Sequence, residues 1–149
     1  MSATDVVCRL VAGQEEAEVV WRDDSFIAFL DHRPVFKGHL LICPVEHIET
    51  LPELPSGLVG PLFSLVQRVA AAMTDGLGAD GSFTAINTVV SQSVPHLHVH
   101  VVPRSKGDGL RGFFWPRTRY AAGEAARYAE ALRTALGAGP DGRPGLAWL

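Results

Sequence analysis

Residues 93–104 read SVPHLHVHVVPR, with histidine at every second position: His96, His98 and His100. Successive side chains of a β-strand point to opposite faces. A strand here puts the three imidazoles on one face, neighbours about 6.5–7 Å apart. Leu97, Val99 and Val101 then line the other face, against a core. A helix would scatter the same histidines around its circumference. The alternation and the valine content predict a half-buried strand over 96–102. Pro103, which cannot donate to a ladder, ends it.

The flanking sequence supplies partners for that strand. Two short apolar runs around Arg22-Asp23-Asp24-Ser25 predict a hairpin with strands near 18–22 and 26–30. HLLICPVEH predicts a third strand ended by Pro44, and SFTAINTVV (82–90) a fourth. Leu58, Leu62, Leu65, Val66, Val69 and Met73 recur at helical spacing, predicting a helix over 58–73 that Gly76 and Gly78 stop. Pro61 is compatible with that helix only within its first turn. Phe63 and Ala70 give it a second apolar face, which predicts a symmetric dimer. AAGEAARYAEALRTAL (121–136) predicts a second helix, closed by Gly137. The expected class is α+β, with about five antiparallel strands, a central helix and a C-terminal helix. It forms one domain over 1–136, and a Gly/Pro-rich tail, 137–149, follows.

Composition sets the surroundings. The 149 residues are 47% hydrophobic and 19% charged, with a formal net charge of −3, which describes a globular domain. Nothing global points to nucleic acid or to an acidic membrane. Arg104, Lys106, Arg111, Arg117 and Arg119 against Asp108 alone form a local basic patch. No run of 18 apolar residues predicts a membrane span, and MSATDVVCRLVAG lacks a signal-peptide pattern. A cytoplasmic protein is the expectation. Cys8 and Cys43 are too few for a disulfide framework.

Three alternating histidines admit two chemistries. His-x-His on a strand can supply two metal ligands, a third coming from elsewhere. Alternatively, one imidazole attacks while its neighbours orient it or handle protons.

FLDHRPVFKGHLLICPVEHI, then AINTVVSQSVPHLHVHVVPR, resembles the histidine triad (HIT) family of nucleotide hydrolases and transferases. The family motif, His-φ-His-φ-His-φ-φ with φ apolar, is met by residues 96–102, and the resemblance runs from about Asp5 to Arg104. It implies a HIT-like fold, usually paired with a second subunit. It also implies cleavage of NMP-X substrates, phosphoramidates or dinucleoside polyphosphates, at the α-phosphorus. By resemblance His98 is the nucleophile, its far nitrogen protonated against a backbone carbonyl. His100 donates to the phosphate and the scissile oxygen, His96 orders the strand, and His39 closes the network behind the site. Asn87, Gln92 and Ser93 match groups around the α-phosphate, and Asp31 the carboxylate that accepts both ribose hydroxyls. Val7, Leu10, Phe29 and His32 match the base slot.

The chain departs from the family in three places. Many bacterial members begin Cys-x-x-Cys and bind zinc with two more histidines. Here Asp5-Val6-Val7-Cys8 lacks the first thiolate, so no metal or other cofactor is expected; Asp5, Cys8, His47 and His96 are the one candidate zinc set. The loop before Gln92 lacks the usual glycines, which predicts a differently shaped phosphate loop. His32 stands where an apolar residue often flanks the base. The third triad position is His100 rather than glutamine, which favours hydrolysis over transfer. The expected ligand is a purine mononucleotide or nucleotide conjugate, with no nucleic acid or membrane partner. The alternatives are a slow or non-catalytic nucleotide-binding module, a nucleotidyl transferase and a metal-dependent hydrolase.

Overall fold

A computed structural model describes residues 5–110 and 118–145. They fall into two compact units, 1–108 and 109–149. The first holds a five-stranded antiparallel sheet: β1 (Val19–Arg22), β2 (Phe26–Leu30), β3 (Leu40–Pro44), β4 (Gly81–Ile86) and β5 (Val99–Arg104), in the order β1-β2-β3-β5-β4. The β1–β2 hairpin closes on Asp23, whose Oδ1 accepts from the Ser25 and Phe26 N–H groups, each at 2.8 Å. That is the aspartate turn chemistry that made the segment legible.

Register assigns the faces. Leu41 pairs with Phe29 and with His100, and Ala85 with His100, so these share one face. Ile42 pairs with Ala28 and with Val99, and Ile86 with Val99, on the other. The second face packs against α2 (Ser56–Leu77) through its stripe Leu62, Leu65, Val66, Val69 and Met73. The first face is covered by α1 (Val6–Val11), whose Val7 and Leu10 join Ile27, Phe29 and Cys43.

Several boundaries differ from the sequence expectation. The six-residue α1 is new; it forms because Asp5 Oδ1 accepts from the Cys8 N–H at 2.9 Å, capping it. The helix α2 starts at Ser56, so Pro61 lies beyond the first turn. Position 57, four residues back, where a proline ring presses on the preceding turn, is glycine. The length and composition of α2 would suffice to cross a membrane, but its apolar stripe is buried on the sheet. The fourth strand ends at Ile86 rather than 90, and the fifth starts at Val99 rather than 96. Leu97 N–H bonds to the Ile48 carbonyl at 2.7 Å, outside the sheet, so His96 and His98 lead into β5 instead of lying in it.

The second unit holds α3 (Glu124–Leu136), closed by Gly137 at φ 66°. It begins three residues after the expected position, because Gly123 at φ 75° sits at its N-terminus. Arg111, Phe113, Phe114, Trp115, Arg117 and Trp148 lie outside the described residues. Of the expected basic patch, Arg104 is engaged by Asp108 through two nitrogens.

Candidate active site

Three imidazoles, His39, His98 and His100, lie together at the edge of the β3–β5 pair, each held by a hydrogen bond. His39, at the start of β3, presents Nδ1 to the Val35 N–H at 3.1 Å. That N–H can only donate, so Nδ1 is the acceptor and Nε2 carries the proton. Nε2 lies 2.9 Å from His100 Nδ1, which must accept, leaving His100 with its proton on Nε2. His98 Nδ1 lies 2.7 Å from the His96 carbonyl and donates to it. In its neutral form His98 therefore carries its lone pair on Nε2, which has no hydrogen-bond partner among the described residues. The His98 and His100 rings meet edge to face, centroids 5.0 Å apart. Backbone groups at both ends thus fix every proton.

Burial reinforces the neutral forms. It lowers the His39 pKa, His98 adding to the effect and Asp31 opposing it. It pushes His100 down to about 4, with His98 and His39 adding and Asp31 opposing. At neutral pH both rings are uncharged.

Asp31 joins this network to an open cleft of about 1060 Å³. Its Oδ2 lies 3.8 Å from His39 Nδ1, and its Oδ1 accepts from the Arg33 N–H at 2.9 Å. Leu10, Phe29 and His32, the residues expected to flank a base, line the same cleft. Val7 does not: it is 2% exposed and turned into the core, and Val6 lines the cleft in its place. Glu15, Glu16 and Glu18 on the rim escaped the sequence reading, since exposed glutamates carry no local signal.

Asn87 directly follows Ile86, the last residue of β4, and His98 directly precedes Val99, the ladder partner of Ile86. Ser93 is exposed. Gln92 is turned elsewhere: its Oε1 accepts from the Val89 N–H at 2.9 Å and its Nε2 donates to the Glu49 carbonyl at 2.6 Å. The loop does without glycine by holding Val89 and Ser91 at φ 65° and 61°.

A second cluster lies behind His98. Asp5 Oδ2, Cys8 Sγ, His47 Nδ1 and His96 Nδ1 lie within 4.8 Å of one another. Asp5 Oδ2 is 2.9 Å from His47, 3.2 Å from His96 and 3.3 Å from Cys8, whose sulfur is 3.4 and 3.7 Å from the two rings. Tetrahedral zinc with bonds of 2.0–2.3 Å needs donor–donor edges of ~3.3–3.8 Å. His96 Nε2 donates to the Pro44 carbonyl at 2.7 Å, which turns the Nδ1 lone pair inward. His47 Nε2 faces Glu49 at 3.6 Å. Outer partners of this kind orient metal-binding imidazoles. The donor set fits zinc, with a carboxylate in place of the missing thiolate. Burial would raise the Asp5 carboxyl, but hydrogen bonds from the Cys8 backbone and thiol, with help from His96, hold it below its usual range. Burial, and then the Asp5 carboxylate, raise the Cys8 thiol. Asp31, His39 and His100 also cluster, but His39 Nδ1 and His100 Nδ1 already accept hydrogen bonds.

A family profile described as HIT domain matches residues 12–107. The Protein hit of Bacillus subtilis strain 168 is 37% identical over 113 residues, 74% of this chain and 77% of that protein. A protein of Arabidopsis thaliana named adenylylsulfatase HINT3 is 31% identical over 70% of this chain and 54% of its own length. A crystal structure described as a zinc-bound histidine triad family protein from Mycobacterium smegmatis is 34% identical, with a TM-score of 0.69 over 91% of this chain and 99% of that one.

Proposed function

The chain belongs to the HIT domain family, and from that premise we propose that it is a nucleotide hydrolase cleaving NMP-X compounds through a nucleotidyl-histidine intermediate. One observation carries the reading. The hydrogen bonds of His39, His98 and His100 leave a lone pair on His98 Nε2 beside a proton on His100 Nε2. A neutral imidazole is a competent nucleophile near pH 7.

The base enters the cleft between Leu10, Phe29 and His32, and Asp31 accepts the ribose hydroxyls. Asn87, Ser93 and backbone N–H groups hold the α-phosphate. His98 Nε2 attacks phosphorus; the P–N bond forms as the P–X bond breaks, and X leaves with its electron pair. His100 Nε2–H donates to the departing atom, and solvent protonates it. His98 keeps its Nδ1 proton on the His96 carbonyl, so the intermediate is a phosphorylated imidazolium, itself a good leaving group. Water attacks phosphorus, the P–N bond breaks, and NMP and a proton are released. A relative named adenylylsulfatase adds adenylyl sulfate to phosphoramidates and dinucleoside polyphosphates as X to test.

Asp5, Cys8, His47 and His96 would hold a zinc ion. All four positions being protein, it would supply a cross-link between α1, the residues after β3 and the histidine segment. Exposed Val59 and Phe63, one turn apart on α2, support a homodimer across that helix.

The test is a screen of adenosine 5′-phosphoramidate, adenylyl sulfate and diadenosine tetraphosphate, read by AMP release. The expected result is an acid-labile adduct of AMP mass on the peptide holding His98, and none in His98→Ala. Full turnover by His98→Ala, or an adduct elsewhere, would overturn the reading. Saturable binding with no turnover of any probe would favour a binding module.

A further inference from the structure

The connection from β4 to His98 adopts backbone that its residues disfavour. Val89 and Ser91 sit at φ 65° and 61°, where Cβ crowds the following carbonyl; a β-branched residue there is a genuine outlier. Burial does not hold the turn down, since Val89 and Val90 are 73% and 79% exposed. Its backbone bonds, Val90 N–H to Thr88 at 2.8 Å and Gln92 N–H to Val89 at 3.3 Å, close it on itself. Gln92 alone among the described side chains ties its tip to the rest of the fold. It accepts from the Val89 N–H and donates to the Glu49 carbonyl. The backbone it grips is anchored next door, where the Ile48 carbonyl accepts from Leu97 N–H at 2.7 Å. Glutamine suits this bridge because it ends in one acceptor and one donor group, whereas glutamate only accepts and lysine only donates.

We infer that Gln92 is a positioning residue, a clamp fastening the strained 88–91 turn to the 48–49 backbone so that Ser93 and His98 meet the phosphate in register. Its side chain is not itself a phosphate ligand. Because the strain sits at Val89 and Ser91, demand on the clamp falls when Ser91 becomes glycine. The kinetic arm of the test rests on the proposed hydrolase reading; the exchange arm does not.

In the free protein, hydrogen exchange at the Val89 amide is expected to accelerate about tenfold in Gln92→Ala. Gln92→Glu accelerates it too, since a carboxylate is repelled by the Glu49 carbonyl. With adenosine 5′-phosphoramidate, Gln92→Ala lowers kcat about tenfold and moves KM little. Adding Ser91→Gly to Gln92→Ala recovers most of that loss. If Gln92→Ala does not fold, Gln92→Asn, one carbon too short to span both partners, takes its place with the same expectations. Unchanged exchange at Val89 would overturn the clamp. So would a loss carried in KM that Ser91→Gly leaves in place. If the wild type turns over adenylyl sulfate or diadenosine tetraphosphate instead, that compound replaces the phosphoramidate; if it turns over none of the three, the hydrolase reading fails and exchange alone decides the clamp.

Discussion

His98 and His100 are the same residue two positions apart, yet their backbone and side-chain partners give them opposite protonation at the atom that faces out. His98 Nδ1–H donates to the His96 carbonyl, and His39 Nε2–H donates to the Nδ1 lone pair of His100. The neutral state of His100 has a thermodynamic consequence. Its pKa falls from 6.5 to about 4 on folding, and that of His39 falls too. Between those limits the unfolded chain binds protons that the folded chain refuses, so stability rises with pH through this window and is level above it. Melting temperatures of the wild type should drop steeply from pH 6.5 to 4, and those of His100→Gln less steeply. At Asp31 the expectation is chemical. Asp31→Asn should weaken ribonucleotide substrates by roughly 1.5–3 kcal/mol, the worth of charge-assisted hydrogen bonds, and 2′-deoxy analogues much less. Paired kcat/KM values measure the difference.

Single elements carry the next set of constraints. Gly38 precedes His39 at φ 101°, and a Cβ there would lie 2.5 Å from Leu77 Cδ1 and 3.3 Å from Pro103 Cγ. Gly38→Ala therefore combines strain with overpacking and should cost about 2–4 kcal/mol in denaturant unfolding. On α2, Phe63→Glu places a charge on the face proposed for the dimer and should yield a monomer by sedimentation, with little change in helicity by circular dichroism. Sequence patterns read these elements unevenly. The valines and leucines of β2, β3 and β5 alternate or run together because both faces of the sheet are covered, and that pattern is local. The helix α1 was invisible: six residues are too few for periodicity, and the helix stands on one cap and its contacts. β5 starts three residues later than the pattern predicts: alternation continues through His96 and His98, although the Leu97 N–H bonds to a loop carbonyl rather than to a neighbouring strand. Val7 and Val6 could not be told apart without knowing how α1 turns.

At the scale of the whole first unit, Asp5, Cys8, His47 and His96 draw together residues from three separate segments. No local spacing joins positions 5 and 8 to 47 and 96; the family resemblance named the four together, and the fold brings their donor atoms within 4.8 Å of one another. Purified protein is expected to carry one zinc per chain by elemental analysis, and a chelator should lower its melting temperature. Asp5→Asn keeps an oxygen for the helix cap but loses the anionic donor, and should weaken zinc binding by about 100-fold or more in competition titrations. The sheet divides the remaining roles. Leu41 and Ile42 are neighbours in β3, but one belongs to the histidine face and the other to the face under α2. Lesions on opposite sides of such a wall share few partners, so their effects should sum. Leu65→Ala would register in a calorimeter and His100→Gln in a rate assay, and the double variant would show both deficits undiminished. A lineage carrying this fold can therefore repack the side under α2 while leaving the chemistry of the histidine side as it is.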